Sequence, residues 1–472
     1  MSKNKKSNCN MKKMTFEEKE LTLLREAVDK AEEISGKKIV NDENTQQIIN
    51  IVENFLRQRK LICYGGTAIN NILPIDDQFY NKNIEIPDYD FFSDKALEDA
   101  KLLADIYAEK GYSDVEAKAG VHHGTYKVYV NFIPVADITY IPSELFKAIK
   151  QEAIQVNGIL YSPPNYLRMS MYLELSRPQG DVSRWEKVLK RLTLLNKHYP
   201  MKNPRCNDVN FLRSFEGSNK DAEDIYYIIR DSITDQGLVF FGGYANSLYS
   251  EYMSVKEKQK HMRKIPDFDV LSDDPKTSSI IIQERLIDAG FEKTKIYKRP
   301  GFGEIISPHY EIEVDGETVA FIYQPLACHS YNQIHIGGKK VKIATIDTML
   351  SFYLAFLYAN RAYYDKERIL CMAQYLFTVQ SKNRLNQKGV LKRFSLNCYG
   401  KQETLETIRA EKSEMFEKLK NKRGTKEYDS YFLRYTPGEK KNKKSQTKKL
   451  QTKKSKNRKH KNRKTNKSIK LF

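Results

Sequence analysis

Hydrophobic positions along the chain follow two periods. From residue 61 to about 155, and again from 226 to about 335, short apolar or alternating runs suited to strands are interleaved with stretches of helical period. Elsewhere the period is helical. That division gives an N-terminal arm and helical segment over 1–60, a first α/β domain over 61–155 and a helical connector over 156–225. A second α/β domain over 226–335 and a C-terminal helical region over 336–437 follow, with a Lys-rich tail over 438–472. The most apolar stretch, Ile343 to Ala359, carries Asp347 and falls short of the roughly 20 apolar residues of a membrane span, so it reads as a buried helix.

The two α/β segments repeat one another. ICYGGTAINNIL around Cys63 matches VFFGGYANSLYS around Phe240, each an apolar run ending in Gly-Gly and passing into a helical pattern. IPDYDFFSD (Ile86–Asp94) matches IPDFDVLSD (Ile265–Asp273). LADIYAEKGYSDV matches IQERLIDAGFEKT, a helix closed by glycine in each case. TYKVYVNFIPVADITYIP and HYEIEVDGETVAFIYQP both suit strand pairs. The copies keep order, at offsets of 177, 179 and 184 residues. Four blocks in register indicate a duplication, and hence two mixed-sheet α/β domains.

Composition narrows the class. A chain of 472 residues is too long for one core. No apolar stretch follows the opening lysines, so no secretory signal is expected. The six cysteines, Cys9, Cys63, Cys206, Cys328, Cys371 and Cys398, lie far apart without a C-x-x-C, which argues against both a zinc site and a disulfide framework. The formal charge of +20 is concentrated in the tail: residues 440–470 hold 16 Lys or Arg and no acid, and without them the charge is +4. Such a tail reads either as a disordered arm for nucleic-acid phosphate or as a solvated charge run.

Asp88, Tyr89 and Asp90 lie in an apolar strand pattern, so the two carboxylates share a face while Tyr89 points away. Like charges this close call for a cation, and a divalent metal is the usual one in phosphate chemistry. Asp137 is the lone acid in another apolar strand, VADITYI, and completes a three-carboxylate set. Gly65, Gly66 and Thr67 end an apolar strand, Leu61–Tyr64, ahead of a helical run from Ala68. Glycines there allow close approach of phosphate, the helix start favours an anion, and Thr67 adds a hydroxyl donor. His122 and His123 are adjacent and point opposite ways in an extended chain, so they do not form a joint ligand pair.

In the second copy Asp267 and Asp269 persist, but Phe321 stands where Asp137 does, so this copy reads as degenerate. In the connector, Arg184, Lys187 and Arg191 recur at i, i+3, i+7, while Val188, Leu189, Leu192 and Leu195 form an apolar face. The basic face is either solvated or a contact for RNA phosphate or triphosphate. Arg168 and Tyr172 share a face at i, i+4 and can pair a charge with a base-stacking ring. Trp185 and the tyrosines of Tyr353 to Tyr375 read mainly as core.

The order Gly-Gly, D-x-D and a later Asp resembles the polymerase-beta-like nucleotidyltransferase superfamily, with an insertion around Pro74 to Ile84. YGGTAINNILP, IPDYDFFS, HHGTYKVYVNFIPVADITYIP, YLRMSMYLELSRPQGDVSRWEKVLKRLTLLN and RFSLNCYG narrow this. They resemble the poly(A) polymerase catalytic subunits of large cytoplasmic DNA viruses (poxvirus, asfarvirus and mimivirus types), the mimivirus type most. The resemblance implies a duplicated nucleotidyltransferase fold and ATP-dependent polyadenylation of viral mRNA by a two-metal mechanism, with two Mg²⁺ or Mn²⁺ ions held by Asp88, Asp90 and Asp137. Gly65, Gly66, Thr67 and Arg168 would then serve the nucleotide, and Arg184, Lys187 and Arg191 the RNA. Partners on this reading are ATP and an RNA 3′ end, with a homodimer or a processivity subunit; the place is host cytoplasm and virion. Two other readings stay open: another terminal nucleotidyltransferase, and a catalytically inactive RNA-binding scaffold.

Overall fold

A computed structural model describes residues 15–40, 42–81, 86–201, 206, 221–253 and 267–438. Residues 439–472 of the Lys-rich tail, the opening arm (1–14) with Cys9, and the Ile265-Pro266 start of the second repeated block lie outside the described residues.

The strands of the first copy are β1 (Ile62–Cys63), β2 (Tyr89–Ser93), β3 (Val115–Ala119), β4 (Thr125–Val130), β5 (Ile133–Tyr140), β6 (Ile154–Val156) and β7 (Ile159–Tyr161). The second copy supplies β8 (Val239–Phe241), β9 (Phe268–Leu271), β10 (Thr294–Arg299), β11 (His309–Val314), β12 (Glu317–Tyr323), β13 (His329–Ile336) and β14 (Lys339–Ala344). The C-terminal region adds β15 (Cys398–Tyr399) and β16 (Arg434–Tyr435). Two eight-stranded mixed sheets result, ordered β16-β3-β4-β5-β2-β1-β7-β6 and β10-β11-β12-β9-β8-β14-β13-β15. Seven strands correspond one to one. The eighth joins at opposite edges, β16 beside β3 and β15 beside β13.

Alternation along β4 buries Tyr126, Val128 and Val130 and leaves Lys127 and Tyr129 on the other face. Tight hairpins join β4 to β5 and β11 to β12. Their corner residues, Asn131-Phe132 and Asp315-Gly316, all have positive φ, as two-residue turns of this hand require.

The sheets meet through the connector. Helix Pro164–Leu175 lies along helix Ile346–Phe356, and Ser330 N–H donates to the Ser176 carbonyl at 2.8 Å. All eleven residues of Ile346–Phe356 are buried, as its apolar sequence led one to expect. Asp347 inside it is matched by Arg393, whose Nη2 lies 2.8 Å from Oδ1. The tyrosines of this region, Tyr353, Tyr358, Tyr364 and Tyr375, are core.

Three expectations need correcting. Each sheet runs past the expected domain end: β7 lies beyond 155 and pairs in parallel with β1, and β14 lies beyond 335 and pairs with β8. Each returning strand reads as part of the helical region that follows until its partner is known. The helix after β1 starts at Gly65, not Ala68. Finally, two disulfides are present, Cys206–Cys371 and Cys328–Cys398, with Cα–Cα distances of 5.2 and 5.1 Å. They bridge 165 and 70 residues, separations that only the folded-back C-terminal region brings together.

Candidate active site

β2 and β5 run parallel, and the register sets Asp90 opposite Asp137. Asp88 stands immediately before β2. The three acids predicted as a set therefore sit on two neighbouring strands. β1 flanks them on the other side of β2, and Tyr64, the residue after it, donates its N–H to the Asp90 carbonyl at 2.9 Å.

Gly65 follows with φ of +70°, and a Cβ there would lie 2.9 Å from Asp90 Oδ2. Glycine is thus required both by the backbone and by the close carboxylate. The helix Gly65–Ile72 has no side-chain cap, so its first amides remain available to an anion beside the acids. Thr67 does not extend this donor set, because its hydroxyl donates to the Asp88 carbonyl at 2.7 Å. It anchors the acidic strand instead.

Arg191 lies over Gly66. A Cβ on Gly66 would meet Arg191 Nη1 at 2.9 Å and the Tyr80 hydroxyl at 2.5 Å. Arg191 Nη2 donates to the Tyr80 hydroxyl at 2.7 Å, and its guanidinium lies 4.7 Å from the Phe79 ring centre. Phe79 and Tyr80 were not foreseen; they belong to the segment read only as an insertion. Of the other connector cations, Arg184 pairs with Glu174 at 3.1 Å and favours the ionised form of Asp90 from nearby. Lys187 is exposed. Trp185 packs inward, its Nε1 donating to the Glu174 carbonyl at 3.0 Å.

Arg168 and Tyr172 are placed otherwise than expected. They are 2 % and 0 % exposed, and Arg168 donates to Asn196 and Asn165 at 2.7 and 2.6 Å. Both belong to the packing beneath the connector, and neither offers a base or phosphate a surface. Helical spacing alone does not say which face is buried. His123 stacks on Tyr431 at 4.1 Å.

The acids are electrostatically uneasy. Burial, then the charge of Asp137, raises the Asp88 carboxyl, while burial and the charges of Asp88 and Asp137 push Asp90 up to about 7. Asp137 Oδ1 is buried with no hydrogen-bond partner, and Oδ2 is held by the Lys127 ammonium. Hard oxygen donors short of positive charge suit a divalent cation. Among the described residues, however, no three His, Cys, Asp or Glu side chains are gathered as a ready metal cage. The donor chemistry fits an ion; the side-chain arrangement does not hold one as it stands.

One prediction follows for the metal-free protein. Asp90 keeps its proton in the folded state up to about pH 7, against about 3.8 when unfolded. Its contribution to stability is therefore present at low pH and lost as pH rises through 7. In EDTA at pH 8, Asp90→Asn should stabilise the fold by on the order of 1–2 kcal/mol, and by much less at pH 4. Denaturant melts at both pH values test this; equal effects at the two would contradict it.

The second copy repeats the frame and not the chemistry. β9 and β12 are parallel with Phe321 opposite Asp269, the position of Asp137 opposite Asp90, as the sequence alignment required. Across the hairpin Glu311 faces Phe321, where Lys127 faces Asp137. Asp267 and Asp269 border a cavity of only ≈ 30 Å³ together with Phe321, Tyr353 and Arg368, room for a water or two. Asp88 and Thr67 border a different cavity, of ≈ 410 Å³, which runs past Tyr80, Tyr89 and Tyr161 and is lined by neither Asp90 nor Asp137.

Two mixed sheets of matched order, one carrying three carboxylates beside a Gly-Gly helix start and the other missing the third, make this a duplicated mixed-sheet α/β protein. Residues 50–181 match the family model described as poly(A) polymerase catalytic subunit. Over 180 residues, 37% of this chain, it is 34% identical to a protein of African swine fever virus named as a poly(A) polymerase catalytic subunit. The match spans 38% of that relative's length. A protein of Acanthamoeba polyphaga mimivirus with the same name is 24% identical over 454 residues, covering 85% of this chain and 74% of the relative. The fold is that of the Megavirus polyadenylate synthase crystal structure, with a TM-score of 0.74 at 20% identity over 92% of this chain and 90% of the other. The resemblance read from the motifs is thus borne out. Among the described residues no helix is long and apolar enough to cross a membrane.

Proposed function

We propose that this chain is a poly(A) polymerase, adding adenylate from ATP to RNA 3′ ends without a template. The observation that carries the reading is the juxtaposition of Asp88, Asp90 and Asp137 on adjacent strands, beside the uncapped helix start at Gly65 and Gly66. Asp88, Asp90 and Asp137 would hold Mg²⁺ or Mn²⁺. A divalent ion, when bound, supplies the charge that acidifies the RNA 3′-hydroxyl and neutralises departing pyrophosphate. The first-turn amides and Arg191 take the triphosphate, and the ring of Tyr80 fixes the guanidinium over Gly66. Phe321 and the small cavity beside it leave the second copy as a structural domain.

RNA phosphate is met by Lys187 and by the 16 cations of residues 440–470, which contribute affinity without base specificity. A second copy of the chain or a separate processivity subunit completes the assembly, and the reaction belongs to the cytoplasm of the infected cell.

The test is incorporation on a labelled RNA primer with each of the four nucleoside triphosphates and Mg²⁺ or Mn²⁺. ATP should extend the primer many times, and EDTA should stop it. A strong preference for another nucleotide would make the chain a different terminal transferase. Tight RNA binding with no incorporation of any nucleotide would make it a scaffold.

A further inference from the structure

The first copy contains a cation of its own at the acidic site. Lys127 lies on β4 directly across from Asp137, and its ammonium holds Asp137 Oδ2. The pair is largely enclosed, with side-chain exposures of 33 % and 15 %. The charge of Lys127 reaches Asp88 and Asp90 as well, favouring their ionised forms. The duplication supplies an internal comparison. Where the third acid is replaced by Phe321, the residue facing it is Glu311, which is bound by Arg299 and Thr318 instead. A lysine faces the 137 position only in the copy that has the acid.

We propose that Lys127 is a positioning residue for the metal: it neutralises Asp137 in the resting protein and must yield that oxygen when a divalent ion binds, so it sets how tightly the ion is held. This rests on the reading of Asp88, Asp90 and Asp137 as metal ligands. Asp137 Oδ1 is buried without a partner, so an ion that engages both oxygens of Asp137 has one free and one to win from the ammonium. Lys127, a third exposed, can turn to solvent or toward bound phosphate once displaced.

The experiment is titration of the full-length protein with Mn²⁺ alone, followed by calorimetry or by the electron paramagnetic signal of free Mn²⁺. Lys127→Met keeps the stem and removes the charge. It should tighten Mn²⁺ binding by roughly tenfold or more, the scale of a lost charge-assisted hydrogen bond. Lys127→Arg, which keeps a competing cation, should stay near the native affinity. In EDTA the Lys127→Met protein should melt below the native one, and saturating Mn²⁺ should erase the difference. Unchanged or weaker Mn²⁺ affinity in Lys127→Met would overturn the inference, as would a melting deficit that Mn²⁺ leaves intact, because that is what a purely structural ion pair predicts. If the native protein bound no Mn²⁺, or bound it equally well as Asp137→Ala, the metal-site reading itself would fall and this inference with it.

Discussion

On the proposed function, Asp88→Ala, Asp90→Ala and Asp137→Ala should each lower adenylate incorporation by at least about a thousandfold, the several kcal/mol that a lost metal ligand removes from the transition state. Asp137→Ala, which breaks the enclosed pair with Lys127, should lower the metal-free melt, but Asp88→Ala and Asp90→Ala should cost little stability. Asp88 and Asp90 are held with raised pKa by burial and by one another, so removing a carboxylate relieves the metal-free fold. Circular dichroism melts in EDTA therefore accompany the assay. The combined substitution Asp267→Ala with Asp269→Ala is the control from the second copy, and it should stay within about tenfold of native turnover, or roughly 1.4 kcal/mol. Residual activity near native in any folded first-copy variant would remove that residue from the site. A second-copy variant as inactive as Asp88→Ala would mean that both copies act.

The second large effect is expected at Arg191. Arg191→Ala should raise KM for ATP on the order of 10- to 100-fold with a smaller change in kcat, because a charge-assisted contact to phosphate is lost in the ground and transition states alike. Arg191→Lys should recover little. A lysine retains the charge but neither the flat stacking on Phe79 nor a donor fixed by Tyr80. Tyr80→Phe, which removes the hydroxyl that orients the guanidinium, should give an intermediate KM. An unchanged KM for ATP together with weakened primer binding would move Arg191 from the triphosphate to the RNA.

Most of the frame was legible in the chain. Gly-Gly, D-x-D and the later Asp are local patterns, and strand alternation fixes which side chains share a face over a few residues. The duplication tells more, since aligning the copies places Phe321 on Asp137, and the register of β9 with β12 agrees. What stayed hidden involves residues far apart in sequence or a break in a local rule. Arg168 and Tyr172 have the spacing of a shared helical face, but that face is the buried one, covered by packing that spacing does not reveal. Likewise, Cys206 and Cys371 lie 165 residues apart, and nothing in their neighbourhoods marks them as partners.

Lys127 shows the boundary most clearly. Counting back from the corner of the β4–β5 hairpin, where Val130 faces Ile133, an unbroken ladder would set Tyr126 against Asp137. A register shift between Val128 and Tyr129 moves the pairing by one, and Lys127 faces the acid instead. The same shift recurs between Ile312 and Glu313 in the second copy. The sequence by itself determined the repeated α/β frame, the three acids and the missing third acid, because these follow from periodicity and from comparing the chain with itself. The tertiary structure alone decided where the cations of the site stand: a bulge slides Lys127 into register with Asp137, and a helix more than 100 residues downstream lays Arg191 over Gly66. Charge placement of that kind depends on packing between elements, and no local pattern encodes it.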